Sequence, residues 1–248
     1  MAKERLEALA MHDFLTRLPN RRFLDEKLSG SEHHPSCLTD TLHLLKIDLD
    51  GFKEINDSFG HAAGDIMLLR TADMLRSSLL EGEFAARVGG DEFVVLCDSD
   101  QDPSRPENLA KDFIERIQQP IEYKGQTCRL GMSIGISNGR DANWDVDKLL
   151  SNADLALYQA KQKGKGCMEM FSEPLYQKAR KRKELADDLL RAIDNREFIA
   201  HFQGQYCANS HKLIGAEALA RWNHPERGVL PPSDFIDLAE DSGCDRRD

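Results

Sequence analysis

Three carboxylates in this chain of 248 residues lie where apolar segments give way to polar ones. Asp48 stands near the end of the run LHLLKIDLD, and Asp91 and Glu92 directly follow the pair Gly89-Gly90. If the two segments are neighbouring strands, these carboxylates converge. Magnesium prefers oxygen ligands from one or two carboxylates together with substrate phosphates, and glycine lets a ligand approach the backbone. The pattern favours a metal site for a phosphate-bearing substrate over a polar hairpin tip with solvated acids.

Two further side chains, Asn56 and Asp65, have the chemistry to recognise a guanine. An asparagine both donates and accepts, and a carboxylate can accept from an N1–H and an exocyclic amine together. The alternatives are a local turn for Asn56 and an acid at a helix N-terminus for Asp65. Taken singly, each residue favours its structural alternative.

Several cationic side chains are candidates for binding phosphate. Lys161 and Lys165 are four residues apart, so on a helix they share one face. Their alternative role is to compensate the helix dipole at a C-terminus. Lys53 is either a phosphate contact or solvated, and His61 is either a base or a hydrogen-bonded structural residue. The sequence has neither a nucleophile elbow nor a phosphate-binding loop ending in Gly-Lys-Ser/Thr.

The hydrophobic pattern predicts the elements that position these groups. A hairpin is indicated where two apolar strands flank Gly89-Gly90. The residues before it form a buried strand, LHLLKIDLD, and then a loop over residues 51–64. The remaining predicted elements are a helix with Pro19 in its first turn, a helix from Asp65, a helix over 107–118, a strand over 128–136 and a helix ending in Lys161, Lys163 and Lys165.

This order of elements predicts one mixed α/β domain to about residue 171, with helices packed on a largely antiparallel sheet. A solvated linker helix with the basic run KARKRK follows over residues 172–183. Beyond it we expect a helix, two strands (FIAHFQGQY and KLIGAEALARW) and a helix capped by Ser233. Residues 3–10 are expected to be helical, as the end of a longer helix from a missing upstream domain.

Composition excludes several classes of function. The formal charge of −10 argues against nucleic acid as a partner, because polyanions select basic surfaces. No apolar run approaches the ~20 residues of a membrane-spanning helix, so we expect no direct membrane insertion. The six cysteines are scattered without a CxxC pair, which favours reduced thiols and a cytoplasmic location.

At this point the motifs form a recognisable set. The sequence resembles the GGDEF family of bacterial diguanylate cyclases over about residues 10–171, through DFLTRLPNRR, IDLDGFKEINDSFGHAAGD, RVGGDEFVVL, SIGIS and ADLALYQAKQKGKG. The resemblance implies an α/β (α+β) palm-like fold, similar to nucleotidyl cyclases, with a five-stranded, mainly antiparallel sheet. It also implies condensation of two GTP into cyclic di-GMP and two pyrophosphates by a homodimer, with one GTP bound per chain and an upstream sensor.

The resemblance implies a role for each matching position. The metal, Mg²⁺ or Mn²⁺, is held by Asp48, the carbonyl of Leu49, and Asp91, with Glu92 as a further ligand or a helper in activating the 3′-hydroxyl. Asp91 and Glu92 are therefore the implied catalytic residues. The implied substrate-binding residues are Asn56 and Asp65 for guanine, and Lys53, Gly89, Gly90, Lys161 and Lys165 along the nucleotide.

The chain departs from the family pattern at two places. Lys165 stands where arginine is usual, which keeps the charge but loses bidentate geometry. Many relatives carry an inhibitory Arg-x-x-Asp before the hairpin, and here Leu80 and Glu83 occupy those positions. We therefore expect no strong inhibition by product at that site, since Glu83 lacks its arginine partner.

A second resemblance begins near residue 184. GAEALARWNHPERG is similar to the opening of an EAL cyclic di-GMP phosphodiesterase, with Glu217 at a metal-ligand position and Gln203 and Arg221 at substrate positions. That family is a TIM barrel of about 200–250 residues, so residues 184–248 are expected to be an incomplete part of one, with phosphodiesterase activity disfavoured. The domains expected are 1–10, 11–171, 172–183 and 184–248, and the alternative function is a regulatory module that binds GTP without turnover.

Overall fold

The computed structural model describes residues 10–30 and 39–241. The predicted helix over residues 3–10 therefore lies almost entirely outside the described residues. The helices are α1 (Arg21–Ser29), α2 (Phe52–Phe59), α3 (His61–Ser78), α4 (Arg105–Ile117), α5 (Val146–Gln162), α6 (Glu173–Asp194) and α7 (Pro232–Asp241). The strands are β1 (Leu42–Asp50), β2 (Phe84–Arg87), β3 (Glu92–Asp98), β4 (Ile121–Tyr123), β5 (Gln126–Cys128), β6 (Gly131–Asn138), β7 (Met168–Met170), β8 (Phe198–Tyr206), β9 (Leu213–His224) and β10 (Gly228–Leu230).

A five-stranded sheet with the order β2-β3-β1-β6-β7 forms the frame of the first unit, which spans residues 1–176. The strand pairs are antiparallel except for β6 and β7, which run parallel. The predicted α/β fold with a mainly antiparallel five-stranded sheet is therefore confirmed. Because β1 is central, the strand that ends in the candidate metal ligands is held on both sides.

Both faces of the sheet are covered, and β1 divides its residues between them. Leu45, Ile47 and Leu49 pack into a cluster with α3 and α4, whereas Leu42 and Leu44 pack with α1 and α5. Burying a strand on both faces explains its nearly continuous apolar run. The same alternation turns Lys46 and Asp48 toward α5.

Helix α5 packs unusually close to β6. A Cβ added at Gly135 would lie 2.2 Å from both the Ala153 carbonyl oxygen and the Leu157 amide nitrogen, so glycine is required there. Ser137 fixes the beginning of the helix by donating to the Leu149 carbonyl at 2.8 Å. This close packing sets the position of the end of α5 relative to β1.

The second unit comprises residues 177–248. It contains a three-stranded antiparallel sheet with the order β10-β9-β8. Its buried cluster is small and consists of Leu189, Ala192, Trp222, Phe235 and Leu238. Most of β8 is exposed.

The structure corrects the predicted loop over residues 51–64. These residues form α2 and the beginning of α3, separated only by Gly60, whose φ of 82° breaks the helix. The charged residues of α2 and Ser58 are exposed, Asn56 is half-buried, and Ile55 is buried on the inner face of the helix. Asp65 is consequently inside α3 and not at its N-terminus.

Four smaller predictions were also wrong. The strand predicted over 128–136 is two strands, β5 and β6, because the chain leaves the extended pairing at residues 129–130. The linker helix continues to Asp194 as a single helix. Pro19 precedes the α1 cap, Asn20, and Ser233 lies inside α7 after Pro232. None of the described helices is long and apolar enough to cross a membrane.

Candidate active site

The predicted carboxylates meet where β1 and β3 end. Asp48 is directly opposite Glu92 in the antiparallel register, so their side chains lie on the same face of the sheet. The Leu49 amide donates to the Asp91 carbonyl at 3.3 Å, which holds the hairpin against the end of β1. Asp48, Leu49, Asp91 and Glu92 thus form one cluster, as their spacing predicted.

Asp48 also pairs with the last turn of α5. Lys161 Nζ lies 2.7 Å from Asp48 Oδ2, with 36% of the lysine side chain and 15% of the aspartate side chain exposed. Burial raises the pKa of Asp48, and Asp91 and Asp50 raise it further, while Lys161 partly offsets both effects. The cluster therefore carries more negative charge than its lysine neutralises.

Lys165 does not share a helix face with Lys161, contrary to the spacing argument. Helix α5 ends at Gln162, and Lys165 lies in the turn beyond it with a left-handed φ of 64°. Its amide donates to the Ala160 carbonyl at 3.2 Å, which closes the end of the helix. The exposed Lys165 side chain is therefore carried by the loop before β7.

Asp50 has a structural role in this cluster. Ser133 Oγ donates to its two carboxylate oxygens at 3.0 and 2.8 Å, and the Gly166 amide donates at 3.0 Å. These bonds tie the end of β1 to β6 and to the loop after α5. The Asp50 carboxylate therefore has a structural role, because its hydrogen bonds stabilise the arrangement of the site.

A network around Arg87 holds the hairpin turn, and the sequence reasoning did not find it. The Arg87 guanidinium donates to the Gly90 carbonyl at 2.7 and 3.1 Å and to the Asp13 carboxylate at 3.0 and 3.2 Å. Burial by itself raises the pKa of Asp13, but bonds from Thr16 and Arg87 outweigh it and lower that pKa below its usual range. Two sequence features could have indicated this contact: the segment DFLT that begins at Asp13, and the arginine before the glycine pair. Asp13 and Arg87 are 74 positions apart in the sequence.

The guanine candidates are brought together by α2 and α3. Asn56 lies on α2, and a Cβ added at Gly64 of α3 would lie 2.1 Å from its Oδ1, so the amide occupies the space that glycine leaves. Asp65 is the next residue and is exposed. Lys53 is exposed in the first turn of α2, directly after the end of β1.

The glycines of the hairpin are not required by the chain's own packing. Gly89 and Gly90 are exposed, and neither has a positive φ. A Cβ added at Gly90 would meet nothing within 4 Å, and one at Gly89 would make ordinary contact with Glu92. The backbone of this turn is open to an approaching molecule.

The donor set fits a hard divalent cation. Among the described residues, no three His, Cys, Asp or Glu side chains form a complete metal site by themselves. A magnesium site, however, needs only one or two carboxylates, a backbone oxygen and oxygens of the substrate. Asp48, whose pKa is raised in part by the nearby charge of Asp91, together with Asp91 itself and the Leu49 backbone, supplies those donors.

Glu83 pairs with an arginine from outside the Arg-x-x-Asp motif, whose own arginine position is occupied by Leu80. Arg105 of α4 approaches Glu83 at 2.5 Å and also donates to the Ser78 carbonyl at 2.8 Å. The Leu80 amide donates to Glu83 at 2.7 Å. Glu83 is therefore engaged within its own chain, and Leu80 is exposed and apolar.

In the second unit, three residues singled out from the sequence share one face of the sheet. Gln203 is directly opposite Glu217, and Arg221 is four residues further along β9 and opposite Ile199. Trp222 and Phe198 lie on the other face, in the buried cluster with α6 and α7.

Comparison with known proteins identifies the family. The model for the diguanylate cyclase GGDEF domain matches residues 10–167, and the model for the EAL domain matches residues 186–247. The first match covers more than half of the chain, so the chain belongs to the GGDEF family, with a shorter EAL match following it.

Similar proteins carry the same two segments. The chain is 41% identical over 244 residues to an uncharacterized signaling protein of Caulobacter vibrioides, covering 98% of this chain and 30% of that protein. It is 36% identical over 242 residues to the bifunctional diguanylate cyclase/cyclic di-GMP phosphodiesterase MucR of Pseudomonas aeruginosa, covering 98% and 35% respectively. The chain thus spans about a third of the length of these relatives.

Solved structures confirm the fold of the first unit. A truncated variant of YfiN (TpbB) from Pseudomonas aeruginosa that comprises only the GGDEF domain superposes with a TM-score of 0.58 at 34% identity. The match covers 68% of this chain and 99% of that structure.

Proposed function

We propose that residues 11–171 are a diguanylate cyclase domain, which condenses two GTP into cyclic di-GMP and releases two pyrophosphates. The observation that carries this proposal is the pairing of Asp48 with Glu92 at the ends of β1 and β3, beside the open Gly89-Gly90 turn. The family match and the relatives named above support the same activity.

The reaction is two phosphoryl transfers. In each, a 3′-hydroxyl oxygen forms a bond to the α-phosphorus of the other GTP, the bond from that phosphorus to the bridging oxygen breaks, and pyrophosphate leaves. Asp48, the Leu49 carbonyl and Asp91 would hold Mg²⁺ or Mn²⁺, which would neutralise phosphate charge and lower the pKa of the hydroxyl. We assign Glu92 to accept the hydroxyl proton, because its carboxylate borders the turn.

The other residues bind and orient the nucleotide. Asn56 and Asp65 read the guanine edge, since an amide and a carboxylate complement its acceptor and donors. Lys53, Lys161 and Lys165 contact phosphates. The nucleotide approaches the backbone at Gly89 and Gly90. This approach explains why both residues are glycines, since neither their φ angles nor the packing of the chain requires glycine there.

Substitution of the two acids tests the assignment. We expect Asp91→Ala and Glu92→Ala each to lower the rate of cyclic di-GMP formation by on the order of 10²–10³, the cost typical of a lost transition-state contact. Both residues are half-buried and, among the described residues, form no ion pair, so the far-UV circular dichroism should not change. The measurement is the initial rate with GTP and Mg²⁺, with nucleotides resolved by chromatography.

Two outcomes contradict the proposal. Near-normal rates in either variant would remove that residue from the chemistry. GTP binding without product in the unsubstituted protein would instead favour a regulatory module that binds GTP and does not turn it over.

A further inference from the structure

Two ion pairs tie α5 to β1 on the side of the site. Lys46 pairs with Asp154, and two residues further along the same face Asp48 pairs with Lys161. The first pair involves no residue of the site. The second ion pair joins the Lys161 ammonium group, which is expected to contact phosphate, to the Asp48 carboxylate, which is expected to hold the metal.

Among the described residues, the cationic side chain that pairs with Asp48 is Lys161. Within the same ranges, Asp91 and Glu92 form no ion pair with a lysine, arginine or histidine, and Asp50 is satisfied by Ser133 and Gly166. The backbone of α5 is held against Gly135 at Ala153 and Leu157, about one turn before Lys161, so Lys161 reaches Asp48 from a helix that is closely packed on the sheet.

A metal ion and an ammonium group on one carboxylate repel each other. Lys161 Nζ already lies at hydrogen-bonding distance from Asp48 Oδ2, so a divalent cation binding there meets a positive charge a few ångströms away. Nucleotide phosphates relieve this repulsion, because their oxygens accept the ammonium group and also ligate the metal.

We propose that Lys161 couples metal binding to nucleotide binding by acting as the counter-cation of Asp48 until phosphates replace that carboxylate as its partner. This inference rests on the proposed metal and nucleotide roles of the site. It makes the two ligands bind cooperatively, and by linkage each raises the affinity for the other by the same factor.

The experiment compares Lys161→Met with Lys163→Met in the full chain. Lys163 lies two residues away, pairs with Glu169 at 2.5 Å and is 59% exposed, so its loss removes the same charge without touching the carboxylate cluster. The affinity for Mn²⁺ alone is measured by electron paramagnetic resonance of free Mn²⁺. The measurement is repeated with saturating α,β-methylene GTP, in which the bond that breaks in the reaction is replaced. A titration of the nucleotide without protein corrects for the Mn²⁺ that its phosphates bind in solution.

We expect the unsubstituted protein and Lys163→Met to bind Mn²⁺ at least about tenfold more tightly with the nucleotide than without it. Lys161→Met should bind Mn²⁺ alone about tenfold more tightly than either, and its gain from the nucleotide should be about tenfold smaller, because only direct ligation by the phosphates remains. Lys161→Arg, which keeps the charge, should retain the coupling, and circular dichroism checks the fold of each variant.

Equal Mn²⁺ affinity of Lys161→Met and the unsubstituted protein, including no binding by both, overturns the inference. A change of equal size in Lys163→Met overturns it as well, because the effect is then one of overall charge. The readout needs no turnover. A protein that shows the coupling but makes no cyclic di-GMP retains this inference and loses the proposed function.

Discussion

At the scale of single residues, the site depends on how the hairpin turn is held. Arg87 bonds the Gly90 carbonyl with two of its nitrogens and Asp13 with a third. Because the peptide group is planar, fixing the Gly90 carbonyl also fixes the amide of Asp91. Arg87 therefore acts as a positioning residue for an acid of the site.

We expect Arg87→Lys to lower kcat by about tenfold while leaving KM for GTP nearly unchanged. Lysine keeps the charge but cannot supply the fork that bonds both partners. The free energy of unfolding should fall by about 1–3 kcal/mol, since charged partners lose hydrogen bonds. Steady-state kinetics and urea denaturation measure the two effects.

The control is Arg22→Lys, because Arg22 is an exposed arginine that, among the described residues, pairs only with Glu26 four residues further along α1. Exposed pairs of this kind contribute little, so both measurements should stay unchanged. A normal kcat in Arg87→Lys would show that the turn keeps its geometry without this network.

Sequence reasoning succeeded for residues whose neighbours along the chain reveal their environment. Asp48, Asp91 and Glu92 each end or begin an apolar strand, so their convergence followed from one strand pairing. Arg87 and Asp13 were missed because their contact joins distant segments and neither residue lies on a periodic pattern. The partner of Glu83 was missed for the same reason.

At the scale of elements, the close approach of α2 and α3 shapes the proposed guanine site. The strand and hairpin were predicted because their sequences are nearly continuous apolar runs. Helix α2 was not, because its polar residues and flanking glycines resemble a loop, and only its packing on the core reveals the helix. The predicted end of α5 was wrong because residue spacing does not show where the backbone leaves helical geometry. The helix ends before Lys165, which has a left-handed φ.

We expect Gly64→Ala to weaken GTP binding by about tenfold, or about 1.4 kcal/mol. The added Cβ would displace the Asn56 amide, which lies 2.1 Å from that position. Asn56→Ala should weaken binding similarly, and the double variant should be no worse than either single one, since both act through one side chain. Isothermal titration with α,β-methylene GTP measures the affinities, and additive losses would contradict this contact.

The segment before α1 is joined to the hairpin by an acid-sensitive contact. The folded pKa of Asp13 is lowered, so its ionised form stabilises the folded state. That stability is fully present above the ordinary aspartate pKa of about 3.9 and is lost as the pH falls through the lower folded value.

We therefore expect the free energy of unfolding of Asp13→Asn to lie below that of the unsubstituted protein near neutral pH, with a difference that shrinks below about pH 4. Urea denaturation from pH 3 to 7 measures this difference. Asp73→Asn, which removes an exposed acid paired with Arg76, should show little difference at any pH. A difference for Asp13→Asn that grows with acid would contradict the sign.

At the scale of the whole molecule, cyclic di-GMP contains two nucleotides, whereas the proposed site residues Asp48, Asp91 and Asn56 would bind one nucleotide per chain. Under the proposed function two chains must therefore meet, with the hydroxyl of each GTP facing the phosphate of the other. Holding both nucleotides in one assembly makes the chemical step nearly unimolecular. The formal charge of −10 opposes this association at low salt.

The most direct test is the initial rate of cyclic di-GMP formation per milligram of protein across about a hundredfold dilution series, with saturating GTP and Mg²⁺. We expect two pyrophosphates per product and a specific activity that rises with protein concentration until the dimer is fully formed. A specific activity that stays constant, in samples that light scattering shows to be monomeric, would contradict the two-chain mechanism. No product above the level of Asp91→Ala at any concentration would contradict the cyclase activity itself.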